Sequence, residues 1–314
     1  MYQMRLILAP MEGVLDHMMR NILTDIGDYD LCVTEFIRIV DQLLPEKVFY
    51  RICPELKCEG KTKSGTPVRV QLLGQHPDYM AVNALRAIEL GSAGIDLNFG
   101  CPSPTVNKSK GGAVLLKEPE TIYKIIKSVR DAIPNEHIVS AKIRLGYEDK
   151  SRALDVAHAV ESAGANELTV HARTKLEGYK PPAHWDWIGK IKEKVTIPLI
   201  ANGEIWSLND YNKCKALSNC SDFMLGRGAL AMPNLSQVLK FNAQPLNWKN
   251  INDLLLEYTN QEIYGDKNKY YPNRIKQWLR YLKIQYPEAD QLFSTIRRLK
   301  TKTEIIDIIS QGSD

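Results

Sequence analysis

The chain has 314 residues, of which 44% are hydrophobic and 25% charged. That composition builds a large core and excludes a disordered chain. No apolar run reaches the roughly 18 residues of a membrane span, and residues 1–10 lack the apolar stretch and small-residue cleavage site of a secretory signal. The expectation is a cytoplasmic protein. The net charge of +4 is unevenly spread. Ten Lys/Arg lie between Lys267 and Lys302 against only Glu288 and Asp290, a local excess of +8 that leaves about −4 for the rest. A basic C-terminal segment on a mildly acidic body points to a polyanionic partner.

Taken in chain order, residues 5–9, 31–35, 68–72, 94–98, 138–143, 167–171, 197–201 and 222–225 read as β-strands. Runs such as LILA and PLIA are almost wholly apolar, as in strands buried on both faces. Between them lie helical patterns: Met19, Ile22, Leu23 and Ile26 recur at i, i+3, i+4, i+7, as do Ile122, Ile125, Ile126 and Val129. Eight strand–helix units in about 235 residues predict an α/β chain folded as a (β/α)8 TIM barrel. A doubly wound sheet is the alternative, disfavoured because no G-x-G-x-x-G follows the first strand. After Pro233 the strands stop. Leu254, Leu255 and Tyr258, then Ile275, Trp278, Leu279 and Leu282, then Phe293, Ile296 and Leu299 mark three helices. The reading is a barrel over 1–243 and a small all-α helical bundle over 244–314.

Barrel chemistry gathers at the C-terminal strand ends. Here those ends carry Pro10-Met11-Glu12, Glu35, Gln71, Asn98 with Cys101, Lys142 with Arg144, His171, Asn202-Gly203-Glu204 and Gly226-Arg227-Gly228. The last two loops suit a phosphate, through glycine-shaped backbone and a charged fork. Of the six cysteines, five read as buried free thiols, and no pair has the spacing of a metal site. Cys101, at a barrel mouth, has the position of a nucleophile, a metal ligand or an acid, and spacing alone does not choose.

The segments LAPMEGVLD (8–16), TEF (34–36), VQLLGQ (70–75), GIDLNFGCPSPTVNKSKGGAVLL (94–116), KIRLG (142–146), VHARTK (170–175), IANGEI (200–205) and LGRGAL (225–230) resemble the tRNA-dihydrouridine synthases. The resemblance covers the barrel in order and implies FMN at its mouth, NADPH as reductant and tRNA as substrate. It assigns Pro10, Met11, Glu12, Gln71, Lys142, His171, Asn202, Gly203, Glu204, Gly226 and Arg227 to the flavin. It gives Cys101 the role of proton donor to uracil C5. Residues 29–56 and RIKQWL (274–279) look most like the bacterial C subgroup, which modifies position 16 of the D-loop. By motif, Arg38, Asn98, Tyr179, Arg274, Lys276 and Arg297 would then contact the tRNA. On the helix carrying the apolar stripe, Lys276, Arg280 and Lys283 lie opposite it and suit phosphates. Ala172 and Lys110 depart from the common family pattern.

A rival reading is an FMN barrel reductase of a free pyrimidine, which would have no use for the basic tail. A second is a non-catalytic RNA-binding barrel, against which the intact Cys101 and phosphate loops speak. The chain offers no obligate protein partner, and the expectation is a monomer.

Overall fold

The computed structural model describes residues 4–260 and 270–311. Eight strands, β1 (Leu6–Leu8), β2 (Leu31–Arg38), β3 (Val68–Leu73), β4 (Ile95–Asn98), β5 (Val139–Arg144), β6 (Glu167–His171), β7 (Leu199–Asn202) and β8 (Asp222–Leu225), close in sequence order. Every neighbouring pair is parallel, β8 returning to β1. All eight fall where the apolar runs predict. The second runs three residues past its expected end, to Arg38, because the register with β3 shifts between Val33 and Phe36 and pairing then resumes. The irregularity is pinned by Thr34, whose hydroxyl accepts the Gln71 N–H at 3.1 Å.

The helices around the barrel are α1 (His17–Asp25), α2 (Glu46–Ile52), α3 (Pro77–Glu89), α4 (Pro104–Lys108), α5 (Pro119–Ala132), α6 (Ala153–Ser162), α7 (Trp185–Lys192), α8 (Leu208–Ser218), α9 (Arg227–Ala231) and α10 (Leu235–Phe241). Their apolar stripes face the strands. In α5 the predicted Ile122, Ile125, Ile126 and Val129 are all fully buried. In α1 the Asp16 carboxylate caps the helix by accepting the Met19 N–H at 3.1 Å.

Among the described residues four helices follow: α11 (Trp248–Asn260), α12 (Tyr271–Leu282), α13 (Pro287–Ile296) and α14 (Lys302–Gln311). The expected third helix stops at Ile296, short of Leu299. The fourth was not anticipated, although Ile305 and Ile309, one turn apart, are both buried. One hydrophobic cluster runs through barrel and bundle alike. Its hinge is Trp278, 1% exposed, whose indole N–H donates to the Leu230 carbonyl at 3.2 Å. That bond seats α12 on α9. The link from α10 to α11 is held by Asn234, whose amide donates to the Gln244 carbonyl and accepts the Leu246 N–H. Of the basic stretch, Lys267 and Lys269 lie outside the described residues.

The cysteines are all free. Cys32, Cys53, Cys214 and Cys220 are buried as expected, but Cys58 is exposed. It sits in the turn where a short 3-10 helix ends.

Candidate active site

A cavity of about 820 Å³ opens at the C-terminal ends of the strands. Cys101 and all eleven residues assigned above to the flavin line it: Pro10, Met11, Glu12, Gln71, Lys142, His171, Asn202, Gly203, Glu204, Gly226 and Arg227. Arg38, Asn98 and Tyr179 line it too. Arg274, Lys276 and Arg297 do not; they belong to the helical region.

Cys101 lies in the loop after β4, half-buried. The loop is held on both sides of the thiol. The Asn98 side-chain oxygen accepts the N–H groups of Gly100 and Cys101 at 2.9 and 3.0 Å. The Cys101 carbonyl accepts from the Asn107 amide at 2.9 Å and from the Ala113 N–H at 3.0 Å. Burial pushes the Cys101 thiol up; Glu12 adds to this, while the Ser103 N–H and Arg144 oppose it. The thiol therefore carries its proton at neutral pH.

The β5–β8 side of the cavity is cationic. Lys142 donates to the Asn202 side-chain oxygen at 3.1 Å. Burial, reinforced by Arg144 and opposed by Asp96, brings its ammonium down to about 8. His171 is held well below its ordinary value by burial and by the charges of Arg144 and Lys142, so it is neutral. Its Nε2 is buried without a partner among the described residues. Gly203, at φ +116°, lies against this ring: a Cβ there would stand 2.9 Å from His171 Cδ2. Only glycine leaves the backbone room to pass beside the histidine.

Arg227 enters from the start of α9. Its guanidinium lies 5.0 Å from the ring centres of both Tyr179 and Trp206. It also pairs with Glu204, which Arg173 reaches at 3.0 Å and the Trp206 indole at 3.2 Å. Burial would raise Glu204, but the Arg173 and Trp206 hydrogen bonds and the two arginine charges hold it low. Glu204 is thus an anchor for arginines. Its carboxylate accepts hydrogen bonds only and holds Arg173 and Arg227 at the cavity wall. Gly228 serves packing instead, since a Cβ there would sit 2.1 Å from the Ile205 carbonyl oxygen.

The opposite side is acidic. Glu12 is raised to about 7 by burial and by Glu35 beside it. Glu35 is also raised by burial, while accepting the Gly13 N–H at 2.5 Å.

Sequence reasoning passed over four contributors. Arg144, 2% exposed, donates to Gly100 O at 2.8 Å and Gly178 O at 3.0 Å, tying the Cys101 loop to the Tyr179 loop. It was visible at a strand end but was given no role. Arg173 lies in the HARTK segment, and its part shows only through Glu204. Trp206 and Tyr281 also meet the cavity or its arginine. Tyr281 comes from α12, one turn past Trp278, and only the folded packing brings it to the rim.

The residues fit a phosphorylated, flat cofactor. A neutral histidine has an unused buried nitrogen, a lysine of lowered pKa lines the cavity, and an anchored arginine stands beside a glycine-shaped backbone.

Among the described residues no helix is long and apolar enough to cross a membrane. A model of the family "Dihydrouridine synthase (Dus)" matches residues 7–311. The chain is 58% identical over 309 residues to the tRNA-dihydrouridine(16) synthase of Shewanella oneidensis, covering 98% of each. It is 54% identical over 304 residues to that of Escherichia coli K12, covering 96% of each. In fold it is similar to an old yellow enzyme homologue from Zymomonas mobilis, with TM-score 0.52 and 12% identity over 77% of this chain and 90% of that one. A histamine dehydrogenase from Rhizobium sp. 4-9 aligns at TM-score 0.56 and 13% identity, over 81% of this chain and 48% of that one. These two likenesses speak to the barrel alone; the family match and the full-length relatives go further, and by them the chain belongs to the dihydrouridine synthases.

Proposed function

We propose that the chain reduces the C5=C6 bond of uridine 16 in the tRNA D-loop to 5,6-dihydrouridine, holding FMN at the barrel mouth with NADPH as reductant. The observation that carries this reading is the protonated Cys101 thiol facing the same cavity as Asn98, Lys142 and His171. The names of the full-length relatives support the substrate and its position.

Lys142, His171, Asn202, Gly203 and Arg227 would hold the flavin, with Arg227 toward its phosphate. Pro10, Met11, Glu12, Gln71, Glu204 and Gly226 complete the cradle. When bound, FMN supplies the hydride that uracil C6 receives. Cys101 then donates its proton to C5, where charge grows as the hydride arrives. Both lone pairs of the Asn98 oxygen are taken by backbone N–H groups, and one of its amide hydrogens by Gln71 at 2.7 Å. The remaining hydrogen is left to donate to a uracil carbonyl. Lys142 stands to steady enolate charge.

The target base must leave the RNA stack to reach the cavity. Tyr179, 53% exposed at the rim, offers a ring for it to pass. In this reading residues 1–243 do the chemistry and residues 244–314 grip the RNA, with Arg38, Tyr179, Arg274, Lys276 and Arg297 as contacts. The protein works as a cytoplasmic monomer.

The test is a reduction assay with purified protein, FMN, NADPH and tRNA from cells lacking dihydrouridine, the product mapped by nucleotide. Dihydrouridine at position 16 is expected. Product at another position overturns the site, and reduction of free uracil or orotate instead of RNA overturns the substrate class.

A further inference from the structure

The DLN segment contains a buried carboxyl group that the proposed chemistry leaves unused. Asp96, 1% exposed in the middle of β4, accepts the Ser140 hydroxyl at 2.6 Å on one oxygen. Its other oxygen accepts the Gln71 amide, also at 2.6 Å. The Gln71 oxygen accepts the Asn98 amide at 2.7 Å. The Asn98 oxygen accepts the Gly100 and Cys101 N–H groups at 2.9 and 3.0 Å.

The direction of this chain is determined at both ends. A backbone N–H only donates, so Asn98 must turn its oxygen to the Cys101 loop and its nitrogen to Gln71. Gln71 must then turn its nitrogen to position 96, which must accept. At the other end Arg69 donates to the Ser140 oxygen at 3.0 Å, so the serine must give its proton away, and Asp96 at 2.6 Å takes it ahead of the Ile95 carbonyl at 3.3 Å. A carboxylate satisfies both demands at once.

We infer that Asp96 is a positioning residue: as the buried terminal acceptor of this chain, it locks Gln71 and Asn98 and through them the N–H side of the Cys101 loop. It does not touch substrate. Asn107 and Ala113 hold the carbonyl side of Cys101, whereas Asn98 holds its N–H side. In a low-dielectric interior, a chain deprived of its end acceptor loses more than one bond.

The experiment compares Asp96→Leu with Asp96→Asn in the full chain. Both lose the charge beside Lys142, but only leucine loses the acceptor. The first readout is iodoacetamide labelling of Cys101, followed by mass spectrometry with exposed Cys58 as internal reference. In Asp96→Leu the Cys101 to Cys58 labelling ratio should rise about tenfold, and kcat on tRNA should fall about tenfold to a hundredfold with KM little changed. Asp96→Asn should stay within about twofold of the parent on both counts, because it keeps an acceptor for Gln71. Should Asp96→Leu not fold, Asp96→Ser, too short to reach Gln71, takes its place with the same expectation. An unchanged labelling ratio in the leucine or serine variant overturns the inference. So does an asparagine variant as impaired as leucine, which would assign the effect to charge. The turnover readout rests on Cys101 being the acid; labelling does not. A shifted ratio with unmoved turnover would therefore count against the acid and leave the positioning standing.

Discussion

The two ends of the barrel are both rich in charge, and they use it in opposite ways. At the N-terminal end Arg5 bridges Glu167 at 2.9 Å and Asp222 at 2.6 Å, and Arg69 meets Glu167 at 3.1 Å. Burial would raise Glu167, but the two arginines hold it below the usual carboxylate range. Charges there are matched. At the C-terminal end Lys142 and Arg144 are pushed down by burial, and buried nitrogens of His171 and Arg173 have no partner among the described residues. A fold that can neutralise one end leaves the other mismatched only where a ligand's own charge and acceptors complete it.

The comparison is sharpest for Cys101, to which the proposed function gives chemistry and little stability. Cys101→Ala should retain FMN and tRNA affinity and lose dihydrouridine formation by at least about a hundredfold, the scale of a removed general acid. Product mapping under single-turnover conditions measures it. Normal turnover would remove the acid from this loop.

Paired substitutions at the two ends should move stability in opposite directions. Arg69→Met leaves Glu167 and the Ala93 carbonyl each short of a partner, so the fold should lose about 3 kcal/mol. Lys142→Met removes a poorly hosted ammonium. The ordinary lysine value is 10.5 and the folded one about 8, so between these pH values the folded chain binds fewer protons than the unfolded one. Stability must therefore rise with pH across that window, and the penalty is fully present below it. At pH 7 Lys142→Met should stabilise the flavin-free protein by on the order of 2 kcal/mol and flatten its rise between pH 8 and 10. The same variant should purify without flavin. Urea denaturation at several pH values checks both signs. A destabilised Lys142→Met would mean that the mouth is as well matched as the floor.

How much of this was legible depends on the distance between cause and residue. The strands and α5 were legible because burial writes itself into local periodicity. The mouth was legible because a parallel barrel brings every strand end to one face. The contacts of Glu204 were not legible, because its position marks a strand-end loop while its partners, Arg173 and Trp206, are set by packing. Tyr281 was invisible, since nothing local joins residue 281 to a cavity made by strand ends; Trp278 does so in space. Asp96 stood in a recognisable segment, but its role depends on the direction of hydrogen bonds across three strands.

The basic helical region gives the finest comparison, because similar cations there stand in different surroundings. Arg274 donates to the Gly13 carbonyl and pairs with Asp16, clasping α12 to the loop after β1. Lys276 donates to the Leu299 carbonyl, Lys283 pairs with Asp290 at 3.0 Å, and Arg280 lies over Phe293. Arg297, at the end of α13, is exposed. A cation already committed to the protein must give up that contact to meet a phosphate, whereas an exposed one gives up only water and counterions. Arg297→Gln should therefore weaken tRNA binding without changing unfolding, and reduce the slope of log K against log salt by about 0.9. Arg274→Gln should lower stability by about 1–2 kcal/mol through loss of the clasp, with a smaller change in slope. Filter binding from low to moderate salt, alongside urea denaturation, separates the two. If Arg274→Gln reduced the slope fully at no cost in stability, its bond to Asp16 would be a resting place that the RNA displaces, and the clasp would belong to recognition rather than to the fold.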